Sequence, residues 1–123
     1  MRTYYDSVFR RYALRDEMFA FFRRYDALLS PTLPISALEA GRNIPAGFEH
    51  RNLVSWVYYT YPFNLTGQPA ASLPVGLSSR GMPVGLQIVT PRNDEESALK
   101  SAAWLEGEIA PWLNPHRAAA SPR

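Results

Sequence analysis

Ala70-Ala-Ser-Leu-Pro-Val-Gly-Leu77, Ser78-Ser-Arg-Gly-Met82 and Pro83-Val-Gly-Leu-Gln-Ile-Val-Thr90 together decide the fold. Two apolar runs flank five residues rich in Ser and Gly, and that arrangement predicts a β-hairpin. Nearly every strand position is apolar, which predicts protein cover on both faces. Pro74 within the first run and Pro83 at the head of the second withdraw ladder donors, so at least one edge should be irregular. Just upstream, Gly67 and Pro69 are expected to fix a tight turn, with the Asn64 amide serving turn backbone groups as donor and acceptor. Gly76, Gly81 and Gly85 permit backbone shapes or close approaches that a Cβ would block. These residues read as folding residues at least as readily as ligand contacts.

Before the hairpin, apolar side chains recur at helical spacing over residues 5–25, with Val8, Tyr12, Phe19 and Phe22 on one stripe and Leu14, Met18, Phe21 and Tyr25 beside it. Asp26-Ala-Leu-Leu-Ser30 is a short apolar run halted by Pro31 and Pro34, as for a buried strand leaving its sheet. Residues 36–52, with Gly41, Pro45 and Gly47, read as an irregular connection. The bulky run Leu53 to Tyr61 reads as a helix stopped by Pro62, although its period also allows a strand. After the hairpin, Asn93 and Glu96 resemble a capping box opening a helix over about 94–109, which Pro111 should end. The expected architecture is α/β: a mixed sheet piece made of a strand near 26–30 and the hairpin 70–90, covered by helices at about 5–25, 53–61 and 94–109. Residues 1–113 form one partial domain, and 114–123, with two prolines and a run of alanines, form a frayed tail.

Composition narrows the chemistry. The 123 residues carry 13 basic and 11 acidic side chains, and the formal charge of +2 sets up no strong field. Six arginines fall in the first 25 residues, against Asp6, Asp16 and Glu17. A small basic nucleic-acid-binding domain is the contrasting reading, but no recognised binding motif accompanies the charge, so no nucleic-acid partner is expected. Cysteine is absent, which removes thiolate nucleophiles, disulfides and Cys-based zinc sites. The N-terminus lacks the apolar run of a signal peptide, and no stretch approaches the roughly 20 apolar residues of a membrane span, so a cytoplasmic location and no membrane partner are expected.

Familiar catalytic patterns are missing: no Gly-x-Ser-x-Gly elbow, phosphate loop, dinucleotide fingerprint or His-Glu-x-x-His pair. His50 and His116 stand apart without clustered carboxylates, so neither a metal nor a cofactor is expected. Ser97-Ala-Leu-Lys100 has the Ser-x-x-Lys spacing, but it lacks companion elements and reads as an ordinary exposed helix start.

The order Asn64-x-x-Gly67-x-Pro69, then Pro74-x-Gly76, then Gly81-x-Pro83-x-Gly85-x-Gln87, then the acidic start Asp94-Glu95-Glu96 closely resembles the C-terminal part of amidase signature enzymes. Tyr25-Asp-Ala-Leu-Leu-Ser-Pro-Thr32 looks like that family's strand entering the sheet, so the likeness spans Tyr25 to about Trp112. The resemblance implies, for a complete enzyme, hydrolysis of carboxylic amides by a nucleophilic serine, a serine in a cis peptide and a lysine. It also implies that those residues lie in a Gly/Ser-rich stretch and a preceding segment, neither of which this chain carries, so no catalytic residue is expected here. This chain would supply sheet framework and, through Trp56, Val57, Thr60 and Tyr61, part of the substrate pocket wall. Glutamine-using relatives carry an acidic residue about where Val57 stands, so the resemblance points toward a less polar amide. The implied partners are the amide substrate, met only in the complete enzyme, and the N-terminal part of the amidase or a like chain that completes it.

Overall fold

In chain order the elements are α1 (Arg2–Phe22), β1 (Leu28–Pro31), α2 (Tyr61–Thr66), β2 (Ala70–Leu77), β3 (Pro83–Val89) and α3 (Glu95–Leu113). The computed structural model describes residues 2–52 and 55–113, without the side chains of 111–113. Leu53, Val54 and the expected tail over 114–123, with His116, therefore lie outside the described residues.

β3 is the middle strand of a three-stranded sheet of order β1-β3-β2, and both pairings are antiparallel. The α/β reading holds, built from the expected strand and the expected hairpin. Ser78 closes the hairpin loop: its N–H donates to the Met82 carbonyl at 2.7 Å, and its hydroxyl accepts from the Met82 N–H at 3.2 Å. Gly81 holds φ +73° within that loop. The irregular edge falls where Pro74 forecasts it, as a register shift between Pro74 and Gly76.

The register decides what each face carries. Ser30, Gln87 and Ser72 lie in line across the three strands, so they share one face; Leu29, Ile88 and Ala71 form the next row and share the other. α3 lies along β2 and β3, where Leu73, Ile88 and Ala98 are buried; a small side chain such as Ala98 lets a helix sit close to a sheet. Leu29, on β1 in the same row as Ile88, stays 58% exposed. Cover on both faces is thus reached only at the Gln87–Thr90 end, while Leu77 and Val84 are exposed, contrary to the expectation drawn from the apolar runs. Apolar strand residues show that a face is meant for burial, but they do not say which element buries it.

On the opposite face the polar row is tied together. Gln87 is buried, and its Nε2 donates to Ser30 Oγ at 3.1 Å and to the Tyr59 carbonyl at 2.8 Å. Thr32 continues β1 by donating its N–H to the Gly85 carbonyl at 2.9 Å, and its hydroxyl is hydrogen-bonded to that of Ser72 at 2.7 Å. That bond joins the two outer strands across β3, and it passes over Gly85: a Cβ there would sit 2.7 Å from Thr32 Oγ1 and 3.2 Å from Ser72 Oγ.

Three local expectations are corrected. The helix expected over 53–61 is a set of turns through 55–60, and the helix begins at Tyr61. Pro62 stands in its first turn, where a missing N–H costs nothing and a fixed φ favours the helix, so this proline opens a helix instead of stopping one. The cap of α3 is Asp94 rather than Asn93: Asp94 Oδ1 accepts from the Ser97 N–H at 3.2 Å, while Asn93 takes φ +63° in the turn before it. Finally, α3 runs past Pro111 to Leu113, since one lost donor weakens a helix without forbidding its continuation.

α1 packs against α2, and Arg11 Nε donates to the Leu65 carbonyl at 2.6 Å. No α1 residue is fully buried; Val8, Leu14, Met18, Phe21 and Phe22 are half-buried, whereas Tyr12 and Phe19 of the first stripe are exposed.

The polar face makes stability testable at two positions. Gly85→Ala should cost about 1–3 kcal/mol through forced contact, and adding Thr32→Ala, which removes the clashing oxygen, should make the double variant more stable than the sum of the two single losses. Additive losses in urea unfolding would contradict the close approach. Gln87→Leu should lower stability by about 1–3 kcal/mol by stripping buried acceptors of their donor, and an unchanged urea midpoint would contradict the tether.

Candidate functional site

The expected wall residues Trp56, Val57, Thr60 and Tyr61 fall between Arg51 and the start of α2. The entrance of this segment is closed by reciprocal bonds: the Ser55 N–H donates to Asn52 Oδ1 at 2.8 Å and the Asn52 N–H donates to Ser55 Oγ at 3.1 Å. Arg51 adds a bond from its Nη1 to the Ser55 carbonyl at 2.9 Å and places its guanidinium 5.1 Å from the centre of the Tyr58 ring. The exit is a turn gathered on one acceptor: the Val57 carbonyl receives the Thr60 N–H at 3.0 Å, the Thr60 hydroxyl at 3.1 Å and the Tyr61 N–H at 3.3 Å. Between the two ends, Gln87 holds the Tyr59 carbonyl.

The structure thus brings Trp56, Val57, Thr60 and Tyr61 onto one short turn. Val57, Thr60 and Tyr61 are half-buried; Trp56 is only 6% exposed, and its indole Nε1 is buried without a hydrogen-bond partner among the described residues. Buried donors are nearly always paired, so such a group marks a place where an acceptor is expected. Clefts open elsewhere, one at Thr32 to Ser36 with Ser72 and Gly85, and one between α1 and the loop after β3.

The remaining motif residues act on the backbone. Gly67, at φ +80°, caps α2 by donating its N–H to the Phe63 carbonyl at 2.7 Å. The Pro69 carbonyl accepts the Thr90 N–H at 3.2 Å, and Asn64 is exposed on α2. Pro74 and Gly76 flank the irregular step in β2, Gly81 turns the hairpin, Gly85 clears the Thr32–Ser72 bond, and Gln87 alone among them reaches the candidate wall. The site gains Ser30, Thr32 and Ser72, which sequence reasoning passes over. Ser30 and Thr32 are two residues apart, the spacing that puts two strand side chains on one face, and that is the available signal.

Electrostatics offer little acid–base chemistry. Glu49 has its carboxyl held below the usual range by the backbone N–H groups of Glu49 and Gly47, but it lies fully exposed in a loop. His50 stacks on Phe48 with ring centres 6.4 Å apart, and no cluster of three metal-ligating side chains occurs among the described residues. Lys100 is paired with Glu96 at 2.6 Å on the outside of α3, where both side chains are largely exposed. Ser-x-x-Lys is here a helix surface: Lys100 answers Glu96, and the Ser97 N–H belongs to the Asp94 cap.

Residues 2–99 match the family pattern described as Amidase. The chain is 41% identical over 109 residues to 6-aminohexanoate-cyclic-dimer hydrolase of Pseudomonas sp. (strain NK87), covering 76% of this chain and 22% of that protein. It is 37% identical over 112 residues to a protein named putative amidase AmiC from Mycobacterium bovis, covering 89% and 24%. It is 42% identical over 91 residues to a glutamyl-tRNA(Gln) amidotransferase polypeptide of Granulibacter bethesdensis, covering 72% and 17%. Among solved structures, an amidase superposes with a TM-score of 0.75 at 34% identity over 88% of this chain and 25% of its own. A 6-aminohexanoate cyclic dimer hydrolase superposes with a TM-score of 0.67 at 35% identity, over 80% and 22%. The chain therefore spans a quarter or less of the length of the relatives it matches. With the pattern matched along most of its residues and the same sheet and helices found in solved members, the chain belongs to the amidase signature family.

Proposed function

We propose that this chain is the C-terminal piece of an amide hydrolase, supplying sheet framework and substrate-pocket wall while the serine and lysine machinery comes from other polypeptide. The observation that carries the reading is the state of the chain's only lysine: Lys100 is spent on a solvent-exposed pair with Glu96 on α3. A triad lysine must sit within hydrogen-bond reach of its serine, away from competing carboxylates. The bare Leu29 and the exposed edge residue Leu77 add support, since unpaired strand edges with apolar side chains are places where further chain docks.

In the complete enzyme a serine attacks the amide carbonyl, backbone N–H groups stabilise the oxyanion, the amine leaves, and water releases the acid from the acyl-enzyme. This chain's part is positional. Trp56, Val57, Thr60 and Tyr61 form the wall, with the buried Trp56 ring as its backing. Val57 in place of a carboxylate gives nothing to hold a substrate ammonium, which favours an amide less polar than glutamine. No described helix is long and apolar enough to cross a membrane, and the lack of cysteine suits a reducing, cytoplasmic setting.

The purified chain alone should release no ammonia from simple carboxamides, and activity should appear when it is mixed with a chain covering the nucleophile-bearing part of the fold. Dose-proportional hydrolysis by the 123-residue chain alone would overturn the proposal. In the active mixture, Val57→Ala should raise KM for an apolar amide up to roughly tenfold with little change in kcat, the loss of about 1 kcal/mol of apolar contact; an unaltered KM would remove Val57 from substrate contact.

A further inference from the structure

A cleft away from the candidate wall runs between α1 and the loop that follows β3. Its volume is about 440 Å³; α1 contributes Arg15, Asp16, Phe19 and Phe22 to it, and Arg23 joins them from the turn just after the helix. Helical spacing groups positions 15, 19 and 22 on one side of α1, and Arg23 follows directly at the helix end. The facing wall is Gln68, Pro91, Arg92 and Asn93. Three arginines thus line one cleft with a single acidic residue, Asp16.

None of Arg15, Arg23 and Arg92 has a carboxylate within salt-bridge distance among the described residues, although Asp16 shares the cleft. Arg15 leans over the Tyr12 ring at 5.8 Å, which leaves its N–H groups free to donate. Arg92 crosses the bare backbone of Gly67 so closely that a Cβ there would lie 3.1 Å from its Nε. Gly67 is thus the left-handed cap of α2 and lies under the exposed Arg92 side chain. Gln68 also lines the cleft, with its side-chain amide against the Thr66 hydroxyl. Two amide side chains, three guanidiniums and two Phe side chains make a donor-rich, positively charged cleft with an apolar flank.

We propose that this groove is an oxyanion-binding site, taking a carboxylate or phosphate group between Arg15, Arg23 and Arg92, with Gln68 as a further donor. Guanidinium forks match the planar carboxylate and the phosphate alike, and the exposed ring of Phe19 gives an aromatic acid a surface to lie on. The site is separate from the Trp56 turn and does not depend on the chain's role in amide hydrolysis.

The test titrates the full chain with inorganic phosphate and, separately, with benzoate, at ionic strength held constant with sodium chloride. Thermal unfolding and the NMR signals of the arginine Nε–H groups are followed. Saturable stabilisation on the order of millimolar ligand, with shifts confined to Arg15, Arg23 and Arg92, is expected. Tighter binding of phosphate assigns a phosphate ligand, and tighter binding of benzoate an aromatic carboxylate; either supports the site. Arg92→Gln should weaken binding up to roughly fivefold, the value of one solvent-accessible ion pair. The pair Arg15→Gln with Arg23→Gln, one on the exposed face of α1 and one in the exposed turn after it, should abolish it in a chain that remains folded by circular dichroism. Arg80→Gln, on the hairpin loop, should leave it intact. A response no larger than that to chloride, or one that survives the Arg15 and Arg23 changes, overturns the proposal.

Discussion

One buried amide organises this chain. Gln87 sits in the middle strand, out of water, and its NH2 group donates to Ser30 on a neighbouring strand and to the carbonyl of Tyr59 in a segment with no regular structure. A buried amide left without partners costs more than a paired one returns, so the sheet and the turn must close around Gln87 together. The turn has few other long-range supports: its own bonds, from Asn52 to Ser55 and from Thr60 and Tyr61 to Val57, are local and set its shape but not its place. Placement comes from the Gln87 bond together with the packing that buries Trp56.

The same face explains the glycine two residues earlier. Because Ser30, Gln87 and Ser72 align across the sheet, Thr32 also falls on this face, and its hydroxyl reaches Ser72 over the middle strand. Only a residue without a side chain can lie beneath that bond. Gly85 and Gln87 are thus two parts of one arrangement: the first lets the outer strands join, and the second ties the joined sheet to the turn. One face of the sheet is in effect a polar seam, while the other is an apolar bed for α3, and the alternation of strand side chains separates the two.

How much of this the sequence discloses depends on the range of the interactions involved. The hairpin is legible because its signals are local: two apolar runs, a Ser/Gly loop and a proline where β2 becomes irregular. Residues that matter through distant partners are less so. Gln87 stands out as part of a motif, but nothing in the sequence names Tyr59 as its acceptor, 28 residues away. Pro62 misleads because proline ends helices and opens them, and the two uses look alike without the three-dimensional path. Asn93 misleads similarly: with Asp94 next to it, either could cap α3, and the role falls to Asp94 because Asn93 takes the left-handed turn. The wall residues can be grouped by proximity in the chain, but the burial of Trp56 comes from packing that no local pattern encodes.

The form of the tether also bears on how such a fold hosts different substrates. Gln87 grips the carbonyl of Tyr59 and not its ring, so the hold is indifferent to which side chain stands there. The same is true of the Val57 carbonyl that gathers Thr60 and Tyr61: the acceptor is backbone, and the Val57 side chain is left out of the bonding. A wall suspended from its main chain keeps its geometry while its side chains change, whereas a wall held by side-chain contacts would lose its place with each substitution. On that argument the residues that fix the turn, Gln87 and Ser30, and those that would select a substrate, Trp56 and Val57, are different sets. Change in the second set need not unsettle the first.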